Sequence, residues 1–118
     1  MAFGHVQSIN RAVLVARGKE PYLEWVRNLP DPAEIDLEEL NRECTVYLIP
    51  EYDYEEEIPG IVRNVFRAIF ENELESWWLN TDDWPDTTDF TLFREWFEVE
   101  IHSVALDLAP GPVVLEDL

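Results

Sequence analysis

The stretch IPGIVRNVFRAIFENEL, residues 58–74, carries the strongest structural signal in the sequence. Its apolar residues recur every three or four positions, which places their side chains on one face of an α-helix. Pro59 fits the first turn, where the N–H that proline lacks would have no helical partner. Arg67 and Glu71, on the other side, are i,i+4 neighbours of opposite charge. The pattern predicts a long amphipathic helix that continues to about Trp78.

Shorter elements are predicted on both sides of this helix. Apolar runs rich in β-branched residues indicate strands, and prolines mark the starts and ends of elements. Asp36 precedes an apolar helical pattern in the position of an N-cap, with Glu39 three residues later. The predicted elements are a strand at 9–17, short helices at about 21–29 and 37–42, a strand at 45–49, a helix at about 88–97 and a strand at 97–108.

These elements predict an α+β fold: a single compact domain, residues 1–118, with a small sheet of about three strands packed with helices in the order β-α-α-β-α-α-β. Strand 9–17 is apolar on both faces at its centre, so we expect it to be central and covered on both sides. The alternation of the last strand changes phase near His102, which predicts a bulge or a break there. Strand directions stay open, although the connections permit parallel crossovers. We expect residues 1–8 and 112–118 to be peripheral or flexible, with a possible edge segment at 113–115.

The composition excludes several classes of protein. The chain has 118 residues, with 26 acidic against eight basic ones and a net charge of −18. Its 47% apolar and 13% aromatic content supplies a core that disordered chains lack. Direct binding of nucleic acid through a basic surface is not expected. Residues 1–30 hold four basic and two acidic groups, so the excess of acid belongs to the rest of the chain.

The cellular setting is predicted from what the sequence lacks. Cys44 is the one cysteine, so no intramolecular disulfide can form, and we interpret it as a small core residue beside a strand. The first residues show no signal-peptide pattern, and no apolar run is long enough to span a membrane. We therefore predict a cytoplasmic protein without membrane association.

Several stretches together resemble a known family. They are NRAVLV (10–15), PYLEW (21–25), TVYLIPEY (45–52), WP (84–85), FREWF (93–97), EIHS (100–103) and DL (107–108). The pattern covers about residues 9–108 and resembles a family of small acidic bacterial proteins of unknown function. The resemblance implies a bacterial, cytoplasmic, single-domain protein, and it implies no activity, cofactor or catalytic residue.

One candidate site lies on the last strand. Glu98, Glu100 and His102 alternate with apolar residues and therefore share one face. Carboxylates and imidazole are ligands for divalent metals, so a small metal-dependent enzyme is one hypothesis. Three successive positions on one face tend to fan apart, however, which favours a solvated face or cross-strand pairs with Arg11 or Arg17.

A second set of candidates is aromatic and acidic. Trp78 lies at the predicted end of the long helix and Trp84 lies between acidic residues and Pro85. A partly exposed indole at either place can anchor a partner or cover the end of the core. Trp25 and Trp96 are predicted in the core. Two acidic segments bracket the long helix in sequence, residues 51–57 and 82–89. The partner-binding candidates are Trp78, Trp84, Tyr52, Tyr54, Asp82 and Asp83.

The leading functional hypothesis is a non-enzymatic protein-binding or regulatory module whose partner is a basic protein. No phosphate-binding or nucleophile-elbow motif is present, and no cofactor is predicted. A second hypothesis is a DNA mimic, because an array of carboxylates can occupy the basic groove of a DNA-binding protein. A surface that serves only solubility is the alternative to both. The sequence leaves the oligomeric state open.

Overall fold

A computed structural model describes residues 6–118, and the predictions for residues 1–5 lie outside the described residues. The strands are β1 (Gln7–Ser8), β2 (Ala12–Gly18), β3 (Val46–Ile49), β4 (Phe97–His102) and β5 (Leu106–Asp107). The helices are α1 (Glu20–Arg27), α2 (Leu37–Leu40), α3 (Ile58–Glu75) and α4 (Phe90–Trp96), and 3₁₀ turns form at Glu55–Glu57 and Thr81–Asp83. The predicted α+β class and the order β-α-α-β-α-α-β, from β2 to β4, are confirmed.

The main sheet has the order β3-β2-β4, so β2 is the central strand as predicted. Both of its neighbours run antiparallel to it. Consequently β3 and β4 point in the same direction, and α3 and α4 form the connection that carries the chain across β2. A parallel crossover therefore joins β3 to β4, with β2 between them. The lengths of the connections did not predict that a strand would lie between the two.

Within residues 6–118 only one face of this sheet is covered, so the expectation that both faces of β2 are covered is wrong there. Ala12, Leu14 and Ala16 are fully buried on the inner face. Val13 and Val15, on the outer face, are half-buried. All the helices that pack on the sheet do so on the inner side, because an antiparallel sheet needs a core on one face only.

An aromatic core joins α3 and α4 to the inner face of the sheet. The ring centres of Phe70, Phe93 and Phe97 lie 5.2–5.8 Å from one another, in one tilted, one edge-to-face and one stacked pair. Tyr22 adds a ring 4.8 Å from Phe97, and its hydroxyl donates to the carbonyl of Glu73 at 2.9 Å. These contacts join α1 and the C-terminal part of α4 to the C-terminal half of α3.

Side-chain caps start the two shortest helices, α2 and α4. Asp36 accepts a hydrogen bond from the backbone N–H of Glu39, and Asp89 accepts one from that of Leu92. The predicted N-cap at Asp36 is therefore confirmed. The Arg67–Glu71 pair also forms, with its closest atoms 3.1 Å apart.

The last part of the chain differs in detail from the expectations. Helix α3 ends at Glu75, so Trp77 and Trp78 lie just beyond it. The phase change near His102 is a break: β4 ends there, and β5 resumes at Leu106 to pair with β1. No strand forms at residues 113–115, which are exposed.

Candidate functional site

The outer face of the main sheet consists of three short rows of side chains. In the first row Leu48, Val13 and His102 lie opposite one another across the strands. In the second row the residues are Val46, Val15 and Glu100. Val46 is 57% exposed and Leu48 is 52% exposed. We call the four apolar residues, Val13, Val15, Val46 and Leu48, the outer-face patch.

Charged side chains border the patch along β4. Glu100 lies between His102 and Arg17. Nε2 of His102 is 3.0 Å from one carboxylate oxygen of Glu100, and Nε of Arg17 is 3.7 Å from the other. The hydrogen bond with His102, supported by Arg17, lowers the pKa of Glu100. Glu98 is opposite Arg17 in the adjacent row. The cross-strand pairing expected for Arg17 is thus present.

The structure brings together only part of the predicted metal set. Glu100 and His102 are in contact, and Glu98 is on the same face one row further along the strand. Among residues 6–118, no group of three or more His, Cys, Asp or Glu side chains has the geometry to hold a metal ion. Same-face side chains on one strand are about 7 Å apart, and His102 is turned toward Glu100 instead of a shared centre.

Trp78, Trp84 and Asp83 form one hydrogen-bonded cluster at the end of α3. The indole N–H of Trp78 donates to the carboxylate of Asp83 at 2.9 Å, and that of Trp84 donates to the carbonyl of Trp78 at 2.8 Å. The indole N–H of Trp25 donates to the carbonyl of Asp83. Each indole donor is therefore used within the protein. This cluster fastens the 80–84 loop over the end of the core, and it leaves Trp78 and Trp84 half-buried.

The remaining partner-binding candidates are separated from that cluster. Tyr52 and Tyr54 precede α3, whereas the tryptophans follow it, and a helix of 18 residues is about 27 Å long. Tyr52 packs against the core, and Tyr54 is 70% exposed. Asp82 is exposed in the 3₁₀ turn Thr81–Asp83. The six residues therefore belong to two separate places on the molecule.

Trp25 and Trp96, which the sequence places in the core, are half-buried at its margin and contact Tyr22. Cys44 is also half-buried, beside β3, and its thiol donates to the carbonyl of Asn41 at 3.3 Å. Burial raises the pKa of the Cys44 thiol, which disfavours the reactive thiolate. The neighbourhood of Cys44 is therefore structural in character.

A partly buried carboxyl group lies under β3. The Tyr47 hydroxyl donates to Glu73 at 2.5 Å, and Asn72 donates to that hydroxyl at 2.9 Å. Burial raises the pKa of Glu73, and burial together with this hydrogen bond raises that of Tyr47. No sequence pattern predicts this group, because a glutamate in an amphipathic helix is expected on the exposed face.

Two further features were missed from the sequence. One is the outer-face patch, although the apolar residues on both faces of strand 9–17 indicated an apolar surface on each face. The other is a pocket lined by Lys19, Arg63 and Arg94. These residues lie far apart in the chain, so no local pattern links them.

Comparisons with protein-family models, curated proteins and solved structures return no match for this chain. The resemblance to small acidic bacterial proteins therefore stays a prediction. Within residues 6–118, no helix has the length and apolar character needed to cross a membrane.

Proposed function

We propose that this chain is a non-enzymatic binding module that engages a basic protein partner through the outer face of its sheet. The observation that carries the proposal is the exposure of Val46 and Leu48 beside Val13 and Val15. Four apolar side chains at the centre of one face, with charged residues on one border, have the arrangement of an interface core and its rim.

Charge supports a basic partner. The chain carries −18 overall, and Glu100, opposite Val15, borders the patch directly. A field of this sign increases the rate at which cationic proteins associate and disfavours acidic ones. The apolar patch supplies contact area, and the charge supplies selectivity.

The strand edges offer a way for such a partner to bind. Within the described chain β3 pairs only with β2, so the other edge of β3 keeps its backbone donors and acceptors unpaired by a strand. An extended segment of a partner can add there as a fourth strand. Its alternate side chains would then lie next to Val46 and Leu48 on the outer face.

The test compares three forms of the protein as bait in a native lysate: wild type, Leu48→Lys and Leu79→Lys. Leu79 is 76% exposed at the far end of α3, so its variant is a matched control for the added charge. We expect wild type and Leu79→Lys to capture a basic protein. Leu48→Lys should capture about tenfold less of it.

Circular dichroism and thermal unfolding establish that both variants fold. The proposal is overturned if no captured protein distinguishes Leu48→Lys from wild type, or if the proteins that do are acidic. Raising the salt concentration should weaken the capture, since surface charge attraction is screened.

DNA mimicry and metal-dependent catalysis remain proposals from the sequence. Competition with DNA for a basic DNA-binding protein tests the first, and elemental analysis of untagged protein tests the second.

A further inference from the structure

A pocket of about 480 Å³ opens between the N-terminal half of α3, helix α4 and strand β4. Its volume falls in the range of small-molecule sites. Apolar side chains form its floor: Ile58, Val62, Phe90, Val99 and Ile101. The pocket is on the inner side of β4 and is thus distinct from the outer-face patch.

Three cations lie at this pocket: Lys19, Arg63 and Arg94. The whole chain has only eight basic residues against 26 acidic ones, so their convergence is not expected from composition. The ion pairs found within residues 6–118 involve other groups, namely Arg17, Arg67 and His102. In a protein rich in carboxylates, the three pocket cations therefore have no carboxylate partner among those residues.

Other contacts hold these cations in place. The guanidinium of Arg63 lies 4.3 Å from the centre of the Phe90 ring, and that of Arg94 lies 5.9 Å from the same ring. The ammonium of Lys19 donates to the carbonyl of Arg94 at 3.0 Å. Cation–π and carbonyl contacts position a positive charge without neutralising it.

One carboxylate residue, Glu98, also borders the pocket. Along β4, Phe97, Val99 and Ile101 point inward, so the side chain of Glu98 points to the outer face with Glu100. It is its backbone that faces the pocket. The cations therefore dominate the charge at the opening.

We propose that this pocket binds a small amphipathic carboxylate. The apolar part of the ligand packs on the floor around Phe90 and Val62, and its carboxylate pairs with Arg63, Arg94 and Lys19. Guanidinium groups suit this role because they form charge-assisted, often bidentate, hydrogen bonds with carboxylates. A compact pocket bounded by three elements favours a small molecule over an extended peptide.

The probes are sodium octanoate and, as an uncharged match, 1-octanol. Calorimetric titration should give a Kd of about 1 mM or lower for octanoate, and binding about tenfold or more weaker for octanol. Amide shifts in an NMR titration should be concentrated at residues 58–63, 90–94 and 97–101.

The variants Arg63→Gln and Arg94→Gln should each weaken octanoate binding about tenfold and so reduce the preference for octanoate over octanol. Arg67→Gln is the matched control, because Arg67 lies one turn further along α3 and pairs with Glu71. Circular dichroism checks that each variant folds.

Three results would overturn the proposal. The first is equal affinity for octanoate and octanol, or no binding of either. The second is unchanged octanoate binding in Arg63→Gln and Arg94→Gln, or an equal loss in Arg67→Gln. The third is tighter binding of the peptide VVLEDL, the sequence of residues 113–118, which would identify an acidic peptide as the occupant.

Discussion

At the scale of single residues, burial distinguishes Glu73 from the many exposed carboxylates of this chain. Its pKa is raised because desolvation penalises the charged form more than the hydrogen bond from Tyr47 favours it. A carboxyl group with a higher pKa in the folded state binds protons more readily there than in the unfolded state. Its contribution to stability therefore decreases as the pH rises through the unfolded and then the folded pKa.

The first prediction concerns Glu73→Gln, which removes the charge and keeps an oxygen that can accept from Tyr47. We expect the variant to gain stability relative to wild type at pH 7, and to gain less at pH 4, where Glu73 is more protonated. Urea unfolding at the two pH values measures the difference. Glu75→Gln, at an exposed position on the same helix, should show a much smaller pH dependence. A gain that is the same at both pH values would contradict the assignment.

The second prediction contrasts two glycines. A Cβ at Gly18 would lie 2.7 Å from Cδ2 of both Leu40 and Tyr22, whereas a Cβ at Gly60, in the first turns of α3, meets nothing within 4 Å. Gly18→Ala should lower the free energy of unfolding by about 1–3 kcal/mol through overpacking. Gly60→Ala should raise it by about 0.5–1 kcal/mol by restricting the unfolded chain.

Both variants add one methyl group, so each serves as the control for the other in the same urea titration. If Gly18→Ala proved neutral, Leu40 would have to move aside freely, and the close packing of β2 on α1 and α2 would not constrain the fold.

At the scale of elements, the short helices depend on their caps and on the core. Helix α4 has seven residues and α2 has four, lengths at which an isolated helix is not stable in water. Helix α4 nevertheless carries Phe93, which belongs to the core, and Arg94, which lines the pocket with Lys19 and Arg63. Its start at Asp89 therefore influences both.

The third prediction is that Asp89→Ala lowers the free energy of unfolding by about 1 kcal/mol, since the N–H of Leu92 loses its acceptor. Asp82→Ala removes the same charge from an exposed position inside a 3₁₀ turn whose N-cap is Asn80. It should have little effect, and thermal unfolding compares the two. Equal losses of stability in the two variants would show that the removal of a negative charge, and not the loss of the cap, is responsible.

At the scale of the whole molecule, the net charge of −18 opposes compaction, because carboxylates repel one another more strongly in the folded chain. Few of the acids are neutralised locally. Within residues 6–118 only Glu71 and Glu100 take part in ion pairs. Salt should therefore stabilise this protein by screening.

The fourth prediction is a rise in the urea midpoint at pH 7 as NaCl increases from about 0.01 M to 0.1 M, while the screening length falls from about 30 Å to 10 Å. KCl should act equally at the same ionic strength, because the effect depends on charge screening and not on the cation. A midpoint that stays constant or falls would show that self-repulsion does not limit stability.

Local patterns allowed much of the fold to be predicted. The period of residues 58–74, the N-cap at Asp36, the Arg67–Glu71 pair and the break after His102 all depend on neighbours within a few positions. The central place of β2 followed from its apolar character. The C-terminal end of α3 was predicted too late, because Trp77 and Trp78 fit the apolar period although the helix ends at Glu75.

Periodicity, capping and composition act over short stretches of chain, so they were enough to predict the class, the order of elements and the charge of this protein. Long-range packing determines which face of the sheet is covered and where the cations meet. Val13 and Leu14 are equally apolar in sequence. The crossover through α3 and α4 buries Leu14 and leaves Val13 half-buried on the outer face. Lys19, Arg63 and Arg94 become neighbours through the same long-range packing, which no local pattern encodes.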